Sequence, residues 1–392
     1  MQLRNILETL AALGTVSCLF FYALAGCGLA SFLRQRRPPS DSNFLPPVSI
    51  LKPLKGLDPE SWESFRSHAE QDYPEFELIF GVSDASDPAC EVVRKLQAAF
   101  PGRAIKLVVC ERTLGANIKV SNLAQMAGEA RYEVLLVNDS DIRVEADYLR
   151  RVVAPLADPN TGLVTCLYRG VPAKTVGSRL EALGIATDFA PGVLSARLLE
   201  KGLRFGLGST LVFRRRDLAA IGGFESFVDY LADDYELGRR MTALGKRVEL
   251  SEATVATFLP PYGLGGFWRH QLRWARTIRD ARRWGYAGLI FTFGLPWGLA
   301  ALVVSKGAPW AWALLAIAVA VRLAVGLGTA AALADGSSAR SVWLLPARDL
   351  IAPIVWAAGL VGNRIQWRGE EFALRDGRLR RLGPAPGQSP GS

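Results

Sequence analysis

"VLLVNDSDIRV", residues 134–144, runs from four apolar residues into two carboxylates, Asp139 and Asp141, with one residue between them. A short apolar run closed by turn-forming residues predicts a buried strand that ends at a polar edge. Two carboxylates at i and i+2 point the same way on extended chain and make a small, hard, anionic site. Oxygen pairs of this kind suit Mg²⁺ or Mn²⁺ holding substrate phosphates. Asn-Asp-Ser-Asp is also ordinary turn chemistry, so the surrounding sequence has to decide.

That sequence is periodic. "PPVSILKPL" (46–54), "FELIFGVSD" (76–84), "AIKLVVC" (104–110) and "YEVLLVND" (132–139) predict strands. "PACEVVRKLQAAF" (88–100) and "KVSNLAQMAGEA" (119–130) predict helices between them. Short apolar strands alternating with helices point to a doubly wound, Rossmann-like α/β sheet. Ligands bind such sheets at the carboxyl ends of the strands. Asp84 and Asp139 both fall at that edge.

Two further clusters follow. "DYLADDYELGR" (229–239) sets Asp233 and Asp234 before a helical run. Acidic residues at a helix start are ordinary capping, but one beside a like charge, or partly buried, is also a general base. "FWRHQLRWARTIRDARRW" (267–284) is dense in Arg and Trp at helical spacing. It predicts an interfacial amphipathic helix, and its arginines are good pyrophosphate donors.

The chain has 392 residues, half of them hydrophobic, and a formal charge of +9. No basic stripe interleaved with aromatics is present, which argues against nucleic acid. Apolar ends point to a membrane instead. Residues 9–33 carry no charge and are long enough to span a bilayer core. "LAGC" (24–27) resembles a lipoprotein processing site, but the stronger basic flank, Arg34, Arg36 and Arg37, follows the run. An anchor with its amino terminus outside fits better than a cleaved signal.

After residue 285 come candidate spans at 286–305 and 310–333, the second holding Arg322. A weaker third, 343–365, is interrupted by Pro346, Arg348, Asp349 and Pro353, and six arginines stand at its end and beyond it, Arg364, Arg368, Arg375, Arg378, Arg380 and Arg381. A re-entrant or in-plane third helix keeps those arginines inside. The apolar segment 187–206 is either a membrane-surface element or a packing helix. The five cysteines, with no CxxC, are expected to be small buried hydrophobes. The expected organisation is an anchor (1–37), a cytoplasmic catalytic domain (38–284), a membrane region (285–368) and a basic, partly disordered tail (369–392).

The motifs taken together resemble the ceramide glucosyltransferase family of GT-A glycosyltransferases, whose bacterial relatives include hopanoid-associated enzymes. The stretches that carry the resemblance are "ILKPLKGLDP", "QDYPEFELIFGVSDASDPA", "NIKVSNL", "NDSDIRV", "GSTLVFRRRDLAAIGGF", "YLADDYELG" and "IQWRG". It implies a GT-A domain with one N-terminal and two to three C-terminal transmembrane helices. It implies transfer of glucose or N-acetylglucosamine from a UDP-sugar to a lipid hydroxyl of ceramide or a hopanoid, at a bacterial inner membrane. Asp84 would contact the uridine. Asp139 and Asp141 would hold Mg²⁺ or Mn²⁺ and the diphosphate. Asp234 would be the catalytic base, and Arg273 and Trp274 the RW pair of (Q/R)xxRW. Two departures stand out. The first position of that motif is His270, and Asp141 is extra where the family reads closer to DSG. A processive polysaccharide synthase shares these motifs, but it needs a wider membrane channel than three or four helices supply.

Overall fold

The apolar runs do pair side by side. The structure, a computed structural model, describes residues 2–35 and 44–384. Arg36, Arg37 and the Pro/Gly-rich end from residue 385 lie outside the described residues. The strands are Val48–Pro53 (β1), Phe76–Val82 (β2), Ala104–Val109 (β3), Val134–Val137 (β4), Ile142–Arg143 (β5), Thr161–Val171 (β6), Leu211–Arg214 (β7) and Arg247–Phe258 (β8). They form one mixed sheet in the order β3-β2-β1-β4-β7-β6-β8-β5. The first four are parallel; β7 runs antiparallel to β4 and to β6.

The chain moves outward from β1 to β2 and β3, then returns to the other side of β1 as β4. This reversal opens a crevice between the carboxyl ends of β1 and β4, where α/β sheets bind ligands. Both strands are buried throughout. Neighbouring residues face opposite ways: Ile50 packs with Phe65, Phe80 and Leu136, while Leu51 packs with Ile79, Leu123 and Leu135.

The helices that matter for the site and the membrane are Gln2–Gln35 (α1), Ile118–Glu129 (α2), Val176–Leu199 (α3), Asp233–Ala243 (α4), Leu264–Ala281 (α5), Gly294–Val304 (α6), Pro309–Ala332 (α7) and Leu345–Gly359 (α8). By length and apolarity, α1, α3, α7 and Val342–Gly359 could each cross a membrane. Phe32 of α1 and Leu333 just after α7 join the core cluster beneath the sheet, so these two apolar helices are built into the sheet domain.

Four expectations need correction. The expected span 286–305 is broken: residues 283–292 and 294–304 meet at 52°. Pro296 sits in the first turn of α6, where its missing N–H costs nothing but where a helix begins rather than continues. Asp139 and Asp141 lie on a turn rather than on extended chain, because Ile142 N–H bonds back to the Asp139 carbonyl at 3.4 Å. Cys27 is exposed on α1, while the other four cysteines are buried and all five are free. The basic stretch expected as a tail forms a three-stranded antiparallel sheet as far as Pro384: Arg364–Trp367 (β9), Glu370–Arg375 (β10) and Arg378–Pro384 (β11). Ile365, Phe372, Leu374 and Leu379 form its buried face against Leu231, and Arg364, Arg375, Arg378 and Arg380 flank them in the chain.

Of the two readings of the segment from 187, packing holds as far as Leu199. α3 presses against α1 so closely that a Cβ on Gly28 would lie 2.7 Å from the Leu194 carbonyl oxygen. A π-helical turn, Ile185–Phe189, interrupts α3, a distortion common at functional sites. Helix α8 follows α5 along its length. Leu345 clusters with Phe267, Arg348 donates to Gln271 Oε1 at 2.8 Å, Val355 clusters with Ala275, and Arg279 donates to the Gly359 carbonyl at 2.7 Å.

Candidate active site

The turn after β4 is held by a buried polar network. The Asn138 amide donates to Tyr148 Oη at 2.9 Å and to the Ser209 carbonyl at 2.6 Å, while its oxygen faces His68 Nε2 at 3.2 Å. Each member is satisfied, which fixes the turn rigidly. Lys52, fully buried at the end of β1, donates to the Asp139 carbonyl at 2.9 Å. Burial pulls the Lys52 ammonium down to about 7, against the pull of Asp141 and Asp139.

Asp139 is therefore aimed into the crevice. Its Oδ1 pairs with Lys119 of α2 at 2.7 Å, and Lys119 also reaches Asp233 Oδ2 at 3.2 Å. Its Oδ2 lies toward Gly208, where a Cβ would stand 3.3 Å from it and 3.4 Å from Asp234 Oδ2. Only glycine leaves this gap between the two carboxylates open. Asp141 accepts from Thr257 Oγ1 at 2.5 Å. Burial and the charge of Asp139 push Asp141 up to about 6.

Asp234 opens α4. Its two oxygens accept from the backbone N–H groups of Gly208 at 2.8 Å and Tyr235 at 2.7 Å. Burial and the neighbouring Asp233 push it up to about 6, against the pull of Lys119. A carboxylate poised there can take a proton near neutrality.

Arg273 on α5 forms no ion pair among the described residues. Burial and the charge of Arg368 hold its guanidinium below the ordinary range, against Glu181 and Asp139. The expected partners on α5 sit one layer back. His270 Nδ1 lies 3.1 Å from Glu181 Oε1. Trp274 packs edge-on against Phe189 of the π turn, and Phe189 in turn packs on Tyr168. Asp84 stands exposed after β2, its Oδ1 taken up by the backbone N–H and hydroxyl of Ser86, both at 2.8 Å. The structure thus sets Asp139 and Asp234 on either side of Gly208, with Asp141 on the same turn as Asp139 and Arg273 close enough to feel the charge of Asp139. Asp84 lies farther out on the same sheet edge, and His270 and Trp274 form the backing of the crevice.

Sequence reasoning missed four residues that line the crevice: Lys55, Lys119, Trp367 and Arg368. "NIKVSNL" and "IQWRG" contained three of them as motif positions, but nothing local says that residue 367 reaches residue 119. It also missed a charge quartet behind α5. Arg322 of α7 pairs with Asp349 at 2.8 Å and with Asp188, and Arg348 pairs with Asp188 at 2.9 Å.

Comparison with known proteins fixes the class. The model of glycosyl transferase family 21 matches residues 11–380. The chain belongs to glycosyl transferase family 21. Curated relatives include ceramide glucosyltransferase 3 of Caenorhabditis elegans, 24% identical over 92% of this chain and 79% of that one. Ceramide glucosyltransferase of Candida albicans is 31% identical over 36% of this chain and 28% of that one. Among solved structures, the mannosyltransferase PcManGT of Pyrobaculum calidifontis, in complex with GDP-Man and Mn²⁺, superposes with a TM-score of 0.55 at 22% identity, covering 91% of this chain and 96% of that one. The fold is therefore GT-A, and this family 21 member is a glycosyltransferase carrying membrane-type helices. The resemblance read from its motifs holds.

Proposed function

We propose that this enzyme is a membrane-bound inverting glycosyltransferase that moves a hexose from a UDP-sugar to a lipid hydroxyl, as a ceramide or hopanoid-lipid glycosyltransferase. The observation that carries this reading is the crevice itself. A carboxylate near pH 6 in its proton affinity, Asp234, faces an acidic turn, Asp139 to Asp141, across an open glycine gap. Curated relatives named as ceramide glucosyltransferases support the acceptor class. So does a cavity of about 270 Å³ among α6, α7 and α8, lined by Leu295, Val319, Leu323 and Trp343 beside Arg322 and Asp349. An apolar cavity with one charged wall suits a lipid with a small polar head.

Asp234 accepts the proton of the lipid hydroxyl as that oxygen attacks the anomeric carbon and the bond to the diphosphate breaks. Arg273 faces the charge that gathers on the leaving diphosphate. No three acidic, His or Cys side chains cluster for a metal among the described residues. Asp139 and Asp141 together offer two hard oxygen ligands, which suits a Mg²⁺ or Mn²⁺ shared with substrate phosphates. Such an ion would neutralise the leaving diphosphate. Lys119 occupies Oδ1 of Asp139 and leaves Oδ2 toward the crevice.

The basic sheet β9–β11 touches the catalytic domain at Asp229 and Leu231, so the two lie on one side of any membrane. A nucleotide-sugar donor and the basic flank after α1 make that side the cytoplasm. The test is to incubate membranes holding wild type or Asp234→Asn with labelled UDP-sugars and extracted lipids, and to identify products by mass spectrometry. Wild type should glycosylate a lipid. Asp234→Asn should lose on the order of 10²–10⁴ in turnover, the usual share of a general base, with donor affinity nearly intact. Retention of more than about a tenth of the turnover would sink the assignment of the base.

A further inference from the structure

Strands β9 and β10 are joined by a two-residue turn, Arg368-Gly369, with Trp367 paired to Glu370. Both turn residues have positive φ, 48° and 83°. That is the signature of a type I′ hairpin, which favours Asn-Gly. Arginine at its first position carries a steric cost that asparagine or glycine avoids. Strain of this kind persists where the side chain has another use.

The hairpin tip sits on the crevice. Trp367, Arg368 and Phe372 line the same pocket as Lys55, Lys119 and Asp139. Arg368 Nη1 donates to the Lys55 carbonyl at 3.2 Å, and Lys55 Nζ donates to the Arg368 carbonyl at 3.1 Å. This clasp fixes the tip against the end of β1. The far end of the sheet is bolted to the segment that leads into α4: Leu231 N–H bonds to the Gly377 carbonyl at 3.0 Å, and Leu379 N–H to the Asp229 carbonyl at 2.6 Å. Arg368 forms no ion pair among the described residues. The nearby Glu370 is taken by Arg381 at 2.8 Å and by Lys55 at 3.9 Å. Arg273 likewise forms no ion pair among the described residues, and the charges of Arg368 and Asp139 both reach it. Arg368, Lys55 and Lys119 thus set three cationic side chains around one pocket beside Asp139, an arrangement that suits a dianion.

We propose that Arg368, delivered by the hairpin that follows the membrane helices, is a direct ligand of the donor diphosphate in the pocket it shares with Lys119 and Asp139. This rests on the reading of the donor as a nucleoside diphosphate sugar. The C-terminal sheet is then part of the donor site, and the chain has to pass the membrane region before that site is complete.

The test uses the full chain in detergent with Mn²⁺, and UDP and uridine as probes. Arg368→Asn suits the turn better than arginine, so the melting temperature without ligand should hold or rise. Its UDP affinity should fall by about 10- to 100-fold, the span of a lost charged hydrogen bond, while uridine affinity stays unchanged. Arg368→Lys should keep part of the UDP affinity through its charge. Equal losses for UDP and uridine, or a lower melting temperature with the UDP-to-uridine preference intact, would make Arg368 a structural clip and overturn the inference. A wild type that binds UDP while Arg368→Asn binds it equally well overturns this inference alone. A wild type with no affinity for UDP overturns the donor reading together with it.

Discussion

The ammonium of Lys119 lies 2.7 Å from Oδ1 of Asp139. The same ammonium reaches Asp233, so one lysine on α2 ties the acidic turn after β4 to the start of α4. Burial lowers the proton affinity of this lysine, but Asp139 and Asp233 more than offset that and hold it above the ordinary range. The carboxylate of Asp234 beside it feels both charges.

The sign of each influence gives a pH prediction. Asp234 must be deprotonated to act as a base, and its carboxyl sits at about 6. kcat/KM should therefore rise as pH climbs through about 6 and be lost below it. Asp233 pushes Asp234 up and Lys119 pulls it down. Asp233→Asn should move the ascending limb to lower pH, and Lys119→Met to higher pH. Profiles of kcat/KM against pH for the three proteins check this; limbs that move together contradict it.

Metal dependence should follow the acidic turn. Titrating Mn²⁺ in the presence of UDP, Asp139→Ala should need markedly more metal than wild type, and Asp141→Ala should need an intermediate amount. Asp139 faces the crevice more openly, with its side chain 38% exposed, whereas Asp141 is held back by Thr257. An unchanged titration in Asp139→Ala would remove the turn from the metal site.

The quartet of Arg322, Asp188, Arg348 and Asp349 is charge-balanced and sits behind α5. Arg322→Met leaves Asp349 and Asp188 facing one another without their shared cation. Breaking a buried pair in this way costs about 3–5 kcal/mol, read as a lower melting temperature in detergent. Adding Asp349→Asn to Arg322→Met should recover much of the loss, because Asp188 keeps Arg348 and no unpaired charge remains. A double variant as unstable as the single one would show that packing, not charge, governs the site.

Topology is open to direct labelling. Arg375, at the β10–β11 turn, has its side chain 91% exposed. In a cysteine-free background, Arg375→Cys should resist a membrane-impermeant thiol reagent in intact cells and react after permeabilisation. Labelling without permeabilisation would put the C-terminal sheet outside and overturn the shared-side assignment.

Much of the catalytic half was legible in the sequence because its signals are local. The runs at 46–54, 76–84, 104–110 and 132–139 announced β1 to β4 to within two or three residues, since a parallel strand buried on both faces, as β1, β2 and β4 are, is a continuous apolar run. The pattern also set Asp139 at a strand end and Asp234 at a helix start. The C-terminal sheet stayed hidden because its few buried residues, Ile365, Phe372, Leu374 and Leu379, are scattered among arginines, glycines and acids and resemble a basic tail until their partners are known. The broken span at 286–305 hid for a related reason: hydropathy sums residues and is blind to where Pro296 starts a new helix.

By itself, the sequence determined the class of enzyme, the strand order's beginning and the acidic residues of the crevice, because each depends on neighbours a few positions away. Only the tertiary structure decided that Lys119 joins Asp139 to Asp233, that α8 lies along α5, and that Arg368 returns from beyond the membrane helices to Lys55. Those contacts join residues separated by 114 to 313 positions in some cases. Such pairing is fixed by how sheets and helices close on one another, and no local period in the chain encodes it.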